Sequence, residues 1–335
     1  MSEGASYTVV RATTLPADPD TACVYHLEPD NFDLGFYHAR TDRNIGWITP
    51  DEQEMLRNSV IGVAGCGGMG GLLAATLIRL GVGEIRIADC ETFDISNLNR
   101  QFAATRSTID KSKAFETARK MREIADDTEV VVYPQGITPA TVAGFLAGCD
   151  IVCDEIEYFA VGSRLLLHQE AERLGIPLLN CSTVGWSSRL FLFDHAGMNM
   201  ESMLGFGLER AYELQSAIAD GTASSIQIQE VLFAMLNALI PKVPEYGSEG
   251  GDFRSRDAFI ARLDDERRAS IIATNPPMAS GFVANHALLY LLGRGADMRS
   301  VVRPPRTPGY LHIDTARMIA ERITRMRVGS HDYTG

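Results

Sequence analysis

"SVIGVAGCGGMGGLLAATLIRLG", residues 59–81, decides the fold. The apolar run Ser59–Ala64 fits a buried strand. "GCGGMGG", Gly65 to Gly71, packs five glycines into seven positions, enough for a tight turn. "GGLLAATLIRL" then reads as a helix, stopped by Gly81 and Gly83. Strand, glycine turn and helix in that order aim bare backbone N–H groups at an anion, commonly a nucleotide phosphate. The geometry serves a redox dinucleotide and ATP equally, so the loop leaves that choice open.

On either side, the pattern repeats. "TPDEQEMLRNS" (Thr49 to Ser59) predicts a helix with Thr49 as N-cap and Pro50 in the first turn. "EIRIAD" (Glu84 to Asp89), "TEVVVY" (Thr128 to Tyr133), "CDIVCD" (Cys149 to Asp154), "IPLLNC" and "SRLFLF" read as strands. "KSKAFETARKMREIA", "TPATVAGFLAG" and "SRLLLHQEAERLG" read as the helices between them. The alternation predicts an α/β fold: a Rossmann-like, doubly wound, mostly parallel sheet with helices on both faces. A C-terminal part adds antiparallel strands and a helical insertion. The expected division is an irregular arm over 1–48, a nucleotide-binding core over 49–195, and a helical insertion over 196–270. Residues 271–335, with the apolar helix "MASGFVANHALLYLLGRG" and the strand "GYLHID", complete the same domain. The tract 245–257, "EYGSEGGDFRSRD", has the composition of a mobile surface loop.

The chain has 335 residues, a formal net charge of −12, and 45% hydrophobic against 22% charged residues, ordinary for a soluble globule. The acidic balance argues against nucleic acid or an anionic membrane as partner. No charged start followed by an apolar stretch marks a secretory signal, and no run approaches a membrane span, so the expected location is cytoplasmic. Six cysteines at 23, 66, 90, 149, 153 and 181 include no Cys-x-x-Cys pair, so no structural zinc is expected.

Asp89 stands 24 positions after Gly65 at the end of the next strand, placed to accept from ribose hydroxyls. NAD and ATP both carry that ribose. The residues that discriminate are in "DISNLNRQ" (Asp94 to Gln101) and "DKSK" (Asp110 to Lys113). A dehydrogenase has no use for Arg100 and Lys113 converging near the phosphates, whereas a reaction at phosphorus does. When a carboxylate attacks the α-phosphate, charge builds on the leaving pyrophosphate. A fixed cation beside those oxygens is worth about 10²–10³ in rate. Asn97 and Gln101 stand close enough in sequence to orient these groups.

Together, "GCGGMGG", Ala88–Asp89, "SNLNRQ" and Lys113 resemble the ThiF/MoeB group of ubiquitin-activating-like adenylyltransferases. The resemblance extends to "RTDRN" (Arg40 to Asn44) and "DIVCDEIEYFAVGSR" (Asp150 to Arg164). It covers roughly residues 38–195 well and 271–325 more loosely. It implies ATP and Mg²⁺ as cofactors. Gly65, Gly67, Gly68 and Gly70 would hold the phosphates and Asp89 the ribose, while Asn97, Arg100, Gln101 and Lys113 would bind the triphosphate. Arg43 would enter the neighbouring subunit's site, which implies a homodimer. The substrate would be the C-terminal carboxylate of a peptide or small ubiquitin-like protein.

The chain departs from the family in two places. Where the family ends its fourth strand with Asp-Asn, this chain has Glu157 and Tyr158, so the magnesium ligand is Glu157 or, three residues earlier, Asp154. No cysteine follows Cys181, which disfavours a thioester relay within the chain. The expected function is ATP-dependent activation of a carboxylate as an acyl-adenylate. A non-catalytic nucleotide-binding scaffold, an NAD- or FAD-linked oxidoreductase and an ATP-driven dehydratase or peptide-modifying enzyme of the same fold are the alternatives.

Overall fold

The computed structural model describes residues 7–30, 32–241, 244, 246, 270–293, 301–328 and 331–334. Its centre is the strand–turn–helix unit read above: β3 (Val60–Ala64), then α3 (Gly70–Leu80) capped by Gly81 at φ +89°. Here β1 (Thr8–Ala12), β2 (Cys23–Leu27), α1 (Leu34–Thr41) and α2 (Pro50–Arg57) precede it. The expected Thr49 cap of α2 is a full capping box with Glu52.

After α3 come β4 (Glu84–Ala88), α4 (Lys113–Ile124), β5 (Glu129–Tyr133), α5 (Val142–Leu146) and β6 (Ile151–Asp154). Next are α6 (Val161–Leu174), β7 (Leu178–Val184) and β8 (Ser187–Phe193). The strands β5-β4-β3-β6-β7 are parallel neighbours in that order. From β3 the chain therefore builds first to one side, through β4 and β5, then to the other, through β6 and β7. That reversal opens a crevice at the carboxyl ends of β3 and β6, where ligands bind in such sheets.

Among the described residues the sheet has ten strands, extended beyond the parallel core by β8, β9 (Tyr310–Asp314) and β10 (Ile319–Ile323), all antiparallel. A separate hairpin joins β11 (Arg325–Val328) and β12 (His331–Thr334). On one face α3, α4 and α10 (Asn275–Leu291) bury Leu73, Leu77, Met121, Val283 and Ala287 against Ile61, Ile87 and Cys153. On the other, α5, α6, α8 (Leu208–Ala219) and α9 (Ser225–Leu239) bury Leu165, Leu167, Leu214 and Leu232 against Val152, Leu178 and Phe191. A short α7 (Met200–Leu204) precedes α8. The sheet is covered on both sides, as its near-continuous apolar strands require.

The described residues of the 1–48 segment, 7–30 and 32–48, are not an irregular arm. β2 pairs antiparallel with β5, Tyr25 opposite Val132, and parallel with β1. Each of these strands is only five residues long, too short to show a period, and acquires its regularity from the edge it joins. Of the tract 245–257, only Tyr246 lies within the described residues. Its hydroxyl accepts from Trp186 N–H at 3.2 Å. Among the described residues, no helix is long and apolar enough to cross a membrane.

Candidate functional site

The loop from β3 into α3 needs glycine at two points. A Cβ at Gly65, which sits at φ +103°, would come 2.2 Å from the Glu155 carbonyl oxygen. One at Gly70 would come 1.8 Å from the Gly65 carbonyl oxygen. Gly67 and Gly68 are different. A Cβ at Gly67 meets nothing nearer than Gln101 Nε2 at 4.0 Å. One at Gly68 makes ordinary contacts with Pro276 at 3.4 Å and Arg100 at 3.5 Å. The fold tolerates a side chain at either position, so the bare backbone there leaves room for a ligand.

Asp89, just past β4, is buried. Its Oδ2 accepts from Cys66 N–H at 2.7 Å and its Oδ1 from Glu91 N–H at 2.8 Å, which leaves each oxygen a lone pair for a hydroxyl. Burial pushes its pKa up to about 6, opposed by the Lys113 ammonium and reinforced by the Glu91 carboxylate. Lys113 opens α4 behind the Ser112 cap and is 5% exposed. Its ammonium is paired with the Glu91 carboxylate.

A 3₁₀ turn over Ile95–Asn99 carries the next group. Asn97 Oδ1 caps it by accepting from Asp94 N–H at 3.0 Å, so this side chain is partly spent on the turn. Arg100 closes the turn, donating to Ser96 O at 3.1 Å and Asn99 Oδ1 at 2.9 Å. It lies beside Gly68 and has no carboxylate partner among the described residues. Burial lowers its pKa. A half-buried guanidinium with no carboxylate partner among the described residues is available to an anion. Gln101 is buried, its amide nitrogen turned to Gly67 and its Oε1 without a partner among the described residues. The structure thus brings Gly65, Gly67, Gly68, Gly70, Asp89, Arg100 and Gln101 to one crevice, with Lys113 joined to it through Asp89.

Asp154 does not belong to that set, which corrects its reading as an alternative metal ligand. It is fully buried. Its Oδ2 accepts from Arg164 Nε at 2.8 Å, His168 Nε2 at 3.0 Å and Asn180 Nδ2 at 3.1 Å, and its Oδ1 from Ile156 N–H at 3.1 Å. Burial alone would raise its pKa; the charge of Arg164 and the bonds from His168 and Arg164 bring it to about 2 instead. Four donors occupy the carboxylate, so it ties β6 to α6 and β7. Glu157 is exposed, and its carboxylate accepts from Phe159 N–H at 2.7 Å. Crowding around its carboxylate pushes its pKa up, and the charge of Glu91 adds to that. Among the described residues, no three His, Cys, Asp or Glu side chains gather to hold a metal.

Arg43 is exposed in a 3₁₀ turn, Asp42–Asn44, away from its own chain's crevice. The adjacent Asn44 donates to Leu80 O at 3.2 Å, at the far end of α3. Eleven residues of α3, about 16 Å, separate that end from the glycine loop.

Sequence reasoning missed Glu91 and the Arg164–His168–Asn180 set. Glu91 had a signal, an acid two places after Asp89 on the same loop. The three partners of Asp154 had none, being spread over 10 to 26 positions downstream.

The model of the ThiF family matches residues 41–333. The chain belongs to the ThiF family. Among curated relatives, the adenylyltransferase and sulfurtransferase MOCS3 of Sus scrofa is 29% identical over 145 residues, 43% of this chain and 31% of that protein. The sulfur carrier protein ThiS adenylyltransferase of Bacillus subtilis is 31% identical over 140 residues, 41% of each. The matched stretch is less than half the length of either relative. The solved structure of E. coli MccB with ATP superposes with a TM-score of 0.57 at 15% identity, over 89% of this ThiF chain and 74% of that one. At that identity the likeness shows the fold.

Proposed function

We propose that this ThiF family chain is an ATP-dependent adenylyltransferase that activates a substrate carboxylate. The observation that carries this reading is Arg100, half-buried beside Gly68 with no carboxylate partner among the described residues. The adenylyltransferase names of the relatives and the ATP of the MccB structure support it.

ATP lies with its ribose on Asp89 and its phosphates along Gly67, Gly68 and the N-terminus of α3. The substrate carboxylate attacks the α-phosphorus, the bond to the bridging oxygen breaks, and pyrophosphate leaves. Arg100 and Lys113 meet the charge that builds on it. Lys113 releases Glu91 to do so. Asn97 and Gln101 orient the phosphates. Magnesium usually needs few protein ligands, and Glu157 is the carboxylate that would help to hold it. When bound, it neutralises phosphate charge.

The substrate is the C-terminus of a peptide or small ubiquitin-like protein, and the enzyme works as a homodimer with Arg43 entering the neighbouring subunit's site. Cys181 is buried and its thiol pushed well up by burial, a poor nucleophile; the acyl group passes to an acceptor outside this chain.

Arg100→Ala and Lys113→Ala are each expected to lower ATP–pyrophosphate exchange by 10² or more, about the worth of one such donor. Circular dichroism should show both variants folded. Near-normal exchange in both would end this assignment.

A further inference from the structure

We infer that a cavity at the end of the strands opposite the glycine loop binds a small organic cation with a flat apolar body, an arylalkylammonium. The cavity lies between the second half of α6, the start of β7 and the end of β8, with Tyr290 of α10 at its side. Its volume is about 110 Å³, and it opens to solvent at its mouth.

Of the polar groups that line it, His168, Glu172 and Asp194 present acceptors, with His195, Asn199 and Tyr290 beside them. His168 is 5% exposed, and its Nε2 lies 3.0 Å from the ionised Asp154. Nε2 therefore carries the proton. Burial lowers the imidazole pKa, so the ring is neutral and Nδ1 is a bare acceptor. Nδ1 has no partner among the described residues. Two carboxylates join it. Asp194 Oδ1 accepts from Ala196 N–H at 2.9 Å and Gly197 N–H at 3.2 Å, and Glu172 Oε2 from Asn199 Nδ2 at 3.4 Å. Each carboxylate keeps a second oxygen. The lining contains no lysine or arginine among the described residues. Arg303 is exposed and acts on Tyr290 from outside the lining.

The rest is apolar and aromatic. Phe193 stands edge-on to His168, centroids 4.6 Å apart, and Leu178 lies beside it. An anion meets repulsion here. No three metal-binding side chains gather among the described residues, so a bare metal ion has no cage. An ammonium supplies N–H donors to His168 Nδ1 and the carboxylates, and an aromatic body covers Phe193 and Leu178, with a cation–π contribution at Tyr290.

The probe is benzylamine, cationic at neutral pH, titrated calorimetrically into the full chain with benzyl alcohol and benzoate as matched controls. Saturable binding is expected, with a Kd of about 1 mM, the scale for a ligand of about eight heavy atoms. Benzyl alcohol and the double variant Glu172→Gln, Asp194→Asn should each weaken it about tenfold, and benzoate should not bind. The double variant changes surface groups, and its thermal transition checks that it is folded. With ¹⁵N-labelled histidine, the His168 Nδ1 resonance should move on titration. Non-saturable binding overturns the inference. So does equal affinity for benzyl alcohol, an unchanged double variant, or a still Nδ1 resonance.

Discussion

At Gly67 the absent side chain serves no turn, since a Cβ there would meet only one amide at 4.0 Å. Gly67→Ala should therefore keep its thermal transition within about 2 °C while losing ATP affinity about tenfold or more, because the methyl enters the space that phosphate needs. Retained affinity would mean the loop is shaped only for folding. Asp89 offers a test by pH. Its pKa of about 6 lies above the ordinary 3.8, so burial favours the neutral form in the folded chain. Its contribution to stability is thus present below about pH 4 and lost as pH rises through 6. Ribose binding has the opposite preference, for the carboxylate. Adenosine, which carries no ionising phosphate, should bind with pH-independent affinity above about 6 and lose up to tenfold per unit below it. A flat calorimetric profile from pH 5 to 8 would remove Asp89 from the ribose site.

Between elements, the Asp154 carboxylate joins β6 to α6 through Arg164 and His168 and to β7 through Asn180. Asp154→Ala leaves the buried Arg164 guanidinium without its counter-charge. The expected loss is about 3–5 kcal/mol in urea unfolding. A loss under about 1 kcal/mol would show that the junction carries little. The α/β core was legible in the sequence because β3 to β7 are apolar runs punctuated by glycine and separated by helices with clear stops, such as Gly81 and Gly175. The crevice residues were legible because they sit on three short segments, at 65–71, 89 and 97–113. The Asp154 junction was not, since pairing across the sheet leaves no trace in local spacing. Nor were β1 and β2, whose five residues each become strands only against β5.

For the whole molecule, the question is whether one chain makes a complete site. Arg43 sits at the far end of α3 from the loop of its own chain. Mixing inactive Arg43→Ala and Lys113→Ala subunits should recover up to about a quarter of wild-type exchange if sites are shared across a two-fold pair, the statistical yield of dimers carrying one intact site. No recovery in demonstrated mixed dimers would place the whole reaction within a single chain.

The helix α3 begins at the glycine loop and ends beside the turn that bears Arg43. A symmetric pair in which each copy lends that far turn to the other's loop must lay its two α3 helices side by side and head to foot. The gap between the two reaction centres is then measured by a rod of fixed length. Lengthening that rod by one turn, about 5.4 Å, would pull both arginines out of register at once.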